Sequence, residues 1–137
     1  NKTMIDPTLE IRQHYLTRLA GLSVPAYNMP QQTVRPPFVV ITTRAMQIQL
    51  TKCDTRNWDV TTTFDIVVLT DGDYGGDKAA EDIANEMMPL IEALGDTANF
   101  RIATFQVEAS DPQAELYTTG RVIRKVIILS NFVSQLN

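Results

Sequence analysis

The chain has 137 residues, of which 44% are hydrophobic and 20% charged, and its net charge is -4. This is an ordinary globular composition for one domain spanning residues 1–137, large enough to bury a core without disulfides or metals. An acidic chain with scattered bases argues against a nucleic-acid-binding module, Cys53 alone excludes an internal disulfide framework, and no apolar run approaches the ~20 residues that span a bilayer.

The opening residues NKTMIDPTLE lack the apolar stretch of a signal peptide, so a cytosolic origin is the expectation. Asp6-Pro7 predicts a helix start, with Asp as N-cap and Pro at the first helical position. Leu9, Arg12, Leu16 and Leu19 follow at helical spacing beside Ala20, and Gly21 supplies a C-terminal cap, giving a helix over 7–20. Its apolar face calls for a sheet beneath it. Residues 22–27 read as a short edge strand, because Pro25 has no backbone donor. Pro30, Pro36 and Pro37 make 28–37 an extended connector.

Two long strand-like runs come next, 38–52 (FVVITTRAMQIQLTK) and 57–70 (NWDVTTTFDIVVLT). At about 3.3 Å per residue the second would span roughly 46 Å, against a diameter of about 37 Å for a compact chain of this length. Unless it bends, one end of such a hairpin leaves the body and meets another chain. Met46, Ile48 and Leu50 alternate with Gln47, Gln49 and Thr51, and Trp58, Val60, Phe64, Ile66 and Val68 share one face. Both arms thus carry an apolar face toward the tip, which requires cover.

Residues 71–77 (DGDYGGD) form a Gly- and Asp-rich loop before a second helix over 78–94. Its apolar stripe is Ala80, Ile83, Ala84, Met87, Leu90, Ile91 and Leu94; Pro89 kinks it and Gly95 stops it. A strand over 100–109, a turn at 110–115 holding Asp111-Pro112, and a long final strand over 116–133 complete the chain. Both faces of that last strand are apolar, which suits a central position. The expected fold is α+β: a mixed, mainly antiparallel sheet of about five strands, with a long central hairpin and two helices packed on one face, in the order α-β-β-β-α-β-β.

No catalytic constellation emerges, and the chain is not expected to be an enzyme. His14 and Cys53 are single and unlinked by spacing, and the several Cys or His ligands of a zinc site are absent. Asp71, Asp73, Asp77 and Gly76 match the first half of a calcium loop, but Gly75 stands at a ligand position and Asp82 at the closing Glu, so neither metal nor cofactor is expected. A small enzyme or ligand-binding domain using the acidic loop 71–77 is the competing class, and a cellular oligomeric scaffold is a third. Two charged surfaces stand out instead. Arg44, Lys52 and Arg56 lie near the hairpin tip with Met46, Ile48, Leu50 and Trp58, and form a candidate subunit interface. Asp71, Asp73, Asp77, Glu81, Asp82 and Glu86 form an acidic counterpart, either facing a lumen or meeting an adjacent copy. A head-to-tail ring needs two such complementary surfaces.

Order and texture across nearly the whole chain resemble the tail terminator (tail-completion) proteins of tailed bacteriophages and the related head–tail neck proteins. The residues that carry the resemblance are Leu19-Ala20-Gly21-Leu22 closing the first helix, the Val24-Pro25-Ala26-Tyr27 strand, and Arg35-Pro36-Pro37-Phe38-Val39-Val40-Ile41 leading into a long hairpin. An acidic amphipathic helix over 79–94 and two closing strands follow. The resemblance implies a virion protein assembled in the host cytoplasm into a ring, commonly of six subunits. That ring ends the tail tube and joins it to the head, touching tail tube and neck or connector proteins while DNA passes through the lumen. It implies no catalytic residue, cofactor or membrane contact.

Overall fold

The computed structural model describes residues 3–29, 36–48, 56–70, 76–92, 94–117 and 120–136. Helix α1 (Thr8–Arg18) runs into a 3-10 turn (Leu19–Gly21), then strands β1 (Ala26–Tyr27), β2 (Phe38–Ile48) and β3 (Asn57–Thr70). Helix α2 (Gly76–Ile91) is followed by β4 (Gly95–Asp96), β5 (Phe100–Ile102), β6 (Gln106–Ala109), β7 (Gln113–Tyr117) and β8 (Gly120–Gln135). The fold is α+β, with two helices and a mixed, curled sheet.

Among the described residues the sheet has eight strands in place of five, ordered β1-β2-β3-β8-β5-β4, with β6 and β7 also on β8. The increase has a local cause. The expected turn at 110–115 is not a turn: β7 pairs with β8 from Gln113↔Arg124 to Tyr117↔Gly120. Strands β5, β6 and β7 are one long strand broken by two bulges. The chain takes four steps from Ile102 to Gln106 while β8 takes three, from Val133 to Ser130, and the same happens between Ala109 and Gln113. At each bulge a hydroxyl replaces the lost carbonyl: Phe132 N donates to Thr104 Oγ1 (3.2 Å) and Val126 N to Ser110 Oγ (2.9 Å). Pro112 fits here because an interruption asks for no ladder donor.

The long hairpin forms as expected, with β2 and β3 in register over Phe38↔Val67 to Ile48↔Asn57. Over its described residues, 38–48 and 57–70, it is not a projecting arm. Strand β8 accompanies β3 along its full length, from Asn57↔Ser134 to Thr70↔Arg121. The excess length that suggested an overhang is matched by a third strand of equal reach.

Both helices pack into one cluster on one sheet face. It combines Ile11, Tyr15 and Leu19 of α1 and its 3-10 turn with Ala80, Ile83, Ala84, Met87 and Ile91 of α2, over Val39, Ile41, Val60, Phe64, Ile66, Ile127 and Leu129. The stripe expected on α1 is turned by part of a revolution: Leu9 is 59% exposed, while Ile11, Tyr15 and Leu19 point inward at i, i+4 and i+8. Tyr15 fixes that rotation. Its ring meets Phe64 edge-on at 5.9 Å and its hydroxyl donates to Asn131 Oδ1 at 3.0 Å. Asp6 and Pro7 are displaced by one position from the expected start: the helix begins at Thr8 with Pro7 as its N-cap and no side-chain cap, while Asp6, one residue earlier, accepts from Thr8 N at 2.9 Å. Gly21 is not a left-handed cap; it lies inside the 3-10 turn, and the one positive-φ glycine among the described residues is Gly95. On α2, Leu94 lies beyond the helix and is exposed.

Polar side chains tie peripheral elements to this core. The Glu10 carboxylate accepts from Asn99 N (2.9 Å), Asn99 Nδ2 (2.8 Å) and Thr97 Oγ1, fastening α1 to the β4–β5 turn. Burial alone would raise its pKa, but the three donors together hold it below the ordinary carboxylate value. A depressed folded pKa gives stability that is present above the unfolded pKa and lost as pH falls through the folded one. Glu10→Gln is therefore expected to cost about 1 kcal/mol at neutral pH. It should also remove part of the acid-limb loss, read from melting curves between about pH 3 and 7.

Candidate functional site

Paired residues share a sheet face and successive residues alternate. The face away from the helices therefore carries the even-numbered residues of β2 and β8 and the odd-numbered residues of β3. At one end Phe38, Val67 and Val122 bury one another, with Tyr27 and Leu69 packed against them. Beyond them cover is incomplete. Met46 is 64% exposed, and Ile48, Val126, Ile128 and Phe132 are half-buried. Register places Met46, Asp59 and Phe132 in one row across the sheet, and Thr42, Thr63 and Ile128 in another. Arg124 and Asp65 pair on this face.

The residues expected at a subunit interface separate. Arg44, Met46 and Ile48 share this outer face. Trp58 does not join them: at 9% exposure it belongs to the helix-side core. Its register neighbour Val133 and the buried Phe100 and Ile102 fill the same cluster, so the tip end is covered by the chain's own residues on that side. Arg56 is half-buried, and its carbonyl accepts from Gln135 N at 2.8 Å. Leu50 and Lys52 lie outside the described residues, as do Asp71 and Asp73.

The acidic residues of α2 do not form one surface. Glu81 Oε1 accepts from Lys125 Nζ at 3.2 Å. Lys125 is a buried cation on the helix face of β8, and it also donates to the Ser110 carbonyl at 2.5 Å. That carbonyl lies at the bulge after β6, so Lys125 fastens both α2 and the β6 edge to the central strand. Glu86 accepts from Ser23 N at 2.6 Å and Ser23 Oγ at 2.7 Å, anchoring the segment after α1. Asp82 pairs with Lys78 at 2.7 Å, an exposed i,i+4 contact worth about 0.3–0.5 kcal/mol. Asp77 is exposed in the first turn, where a carboxylate suits the helix dipole. The solvent side of α2 is thus Asp77, Lys78, Asp82, Asn85, Pro89 and Glu92, mixed in character.

Among the described residues, part of β2 is a free edge of the sheet. Val39 N donates to the Pro25 carbonyl at 2.9 Å, so odd-numbered β2 residues direct their N–H and C=O groups away from β3. Strand β1 occupies that side only at Val39 and Val40. From Thr43 to Gln47 no described strand occupies it. The opposite edge of the sheet is β6 and β7, bulged and interrupted by Pro112.

His14 is half-buried, and burial, with the nearby Arg18, pushes its pKa down, which keeps the imidazole neutral at pH 7. Among the described residues no group of three or more His, Cys, Asp or Glu side chains is placed to hold a metal ion, and no helix is long and apolar enough to cross a membrane. Compared with protein-family models and with curated protein sequences, the chain matches none.

Proposed function

We propose that this chain is a structural, ring-forming subunit of a tailed-phage virion. In this reading six copies close head to tail, end the tail tube and join it to the head or neck, and DNA passes through the lumen without chemistry. The partners are further copies of the chain, the tail tube protein and a neck or connector protein. A neck adaptor ring would use the same surfaces.

The observation that carries the proposal is the two-faced sheet. Three strands of 11, 14 and 16 residues run together, yet the helices cover one face. The other leaves Met46 exposed and Ile48, Val126, Ile128 and Phe132 half-buried over the length of β8. Apolar side chains spread along an uncovered sheet mark a surface that meets another protein. Of the acidic residues, Asp77 and Asp82 are exposed toward a neighbouring subunit or a lumen, Asp82 beside its partner Lys78, while Glu81 and Glu86 tie α2 to other elements of the subunit.

The test is Met46→Asp together with Ile48→Asp. Both positions lie on the outer face, so the subunit should keep its circular dichroism and melt within a few degrees of the parent. It should remain monomeric in sedimentation and fail to cap purified tail tubes in electron micrographs. Rings that form normally from the double variant would remove this face from the contact. A parent protein that neither self-associates nor binds tubes would remove the ring altogether.

A further inference from the structure

We propose that the free edge of β2 pairs with the β6 edge of a second copy, in a register that sets Arg44 opposite Glu108. The inference rests on the ring reading and names the atoms of its contact.

Strand direction comes first. From β2 through β3 and β8 to β6, each strand runs antiparallel to the last. The two edges of the sheet therefore run in opposite directions. Copies turned about an axis parallel to the strands bring β6 of one beside β2 of the next as an antiparallel pair. Such a contact is heterologous, and it closes into a ring where the turn between copies divides a full revolution.

Backbone groups agree. Thr43, Ala45 and Gln47 direct theirs outward from β2, from the alternation fixed by Val39. On β6, Ser110 N donates inward to the Val126 carbonyl at 2.9 Å, so Val107 and Ala109 direct theirs outward. Ala45 opposite Val107 and Thr43 opposite Ala109 are then the pairs that exchange both bonds.

Side chains follow without further choice. That register sets Arg44 against Glu108 and Met46 against Gln106. Arg44 and Met46 lie on the outer face of β2, and Glu108 lies on the same face, being paired with Ile128. Val107 faces the helix side, where it packs against the core, as does Ala45. Shifting the pair by two residues in either direction sets Arg44 against Gln106 or Ser110 and loses the opposite charges. Arg44 and Glu108 are both exposed in the single subunit. Directly opposite unlike charges favour a strand pair and like charges disfavour it.

A charge exchange tests this. Arg44→Glu and Glu108→Arg should each leave the melting temperature unchanged and weaken self-association roughly ten-fold at low salt, while the double exchange should regain parental association within about three-fold. Amide hydrogen exchange at Thr43, Ala45, Val107 and Ala109 should slow in the assembled parent relative to the monomer, and this reading stands even if a variant fails to fold. Single variants that assemble like the parent, a double variant that regains nothing, or rings whose amides at these positions exchange as in the monomer would each overturn the edge contact and leave the ring reading intact. A two-fold dimer in place of a ring overturns the head-to-tail pairing, and a parent that never associates overturns both.

Discussion

Phe64→Ala is expected to lower stability by about 3–5 kcal/mol, a large share of what a domain of this size possesses. The magnitude follows from position. Phe64 is fully buried at the middle of β3, in register with Ile41 on one side and Ile127 on the other. A strand held on both edges cannot shift to close a cavity, so little of the lost volume is recovered. Removing the ring also ends the edge-on contact with Tyr15, worth about 0.5–1.5 kcal/mol beyond area. The measurement is a urea or thermal melt, with a fall of roughly 10–20 °C in midpoint. Leu9→Ala is the control. Leu9 carries the same apolar character on α1 but is 59% exposed, and the change should stay within about 0.5 kcal/mol. A small loss at Phe64, or a large one at Leu9, would mean that α1 docks in another rotation.

That contrast shows where the sequence was legible. Period-two alternation in 57–70 placed Trp58, Val60, Phe64, Ile66 and Val68 on one face, and all five are in the helix-side core. The long strand with two apolar faces sits in the middle of the sheet, between β3 and the broken strand. On helix α1 the expected stripe holds at Leu16 and Leu19, which join or pack against the core, and fails at Leu9, because the inward face is centred on Ile11 and on Tyr15, whose phenol needs a partner. The closing strand was misread at Asp111-Pro112. Such a dipeptide marks a turn in most chains, but a bulge also leaves a residue out of the ladder, and local sequence does not separate the two.

Of the candidate site, the sequence showed Met46 and Ile48 as apolar and alternating but not which side of the sheet they occupy. It also grouped Glu81 and Glu86 with Asp77 and Asp82 as one acidic surface. Their partners, Lys125 and Ser23, lie 44 and 63 residues away in the chain, and nothing local links them. The hairpin is legible as an exposed edge open to sheet extension, but which stretch of β2 stays free is not, for a similar reason. Residues 43–47 read as an ordinary strand, and whether a strand is an edge depends on which neighbours the topology supplies.

Asn131 is expected to be the polar position where one substitution matters most. It is buried on the helix face of β8, and its amide is fully oriented. Tyr15 donates to Oδ1 at 3.0 Å, and Nδ2 donates to the Thr104 carbonyl at 2.9 Å. Burial pushes the Tyr15 phenol up to about 12, against the opposing pull of Asn131 and Arg18, so it remains a donor across the working pH range. Asn131→Ala leaves that hydroxyl without a partner, while water reaches the exposed Thr104, for a loss of about 2–3 kcal/mol that does not vary with pH. Asn131→Asp behaves differently. A carboxylate still accepts from Tyr15 but faces the Thr104 carbonyl, an acceptor against an acceptor, in a buried site. Its folded pKa rises above the unfolded value near 4, so the folded state binds the extra proton and stability falls as pH climbs through that window. At neutral pH the loss should reach about 3–5 kcal/mol, as for an uncompensated buried charge. Melting curves at about pH 4 and pH 7 separate the two variants: the Ala protein shifts equally at both relative to the parent, and the Asp protein is near-parental only in acid. Equal behaviour of Asp and Ala would mean that solvent reaches position 131, and that the tie between α1, the central strand and the first bulge is open.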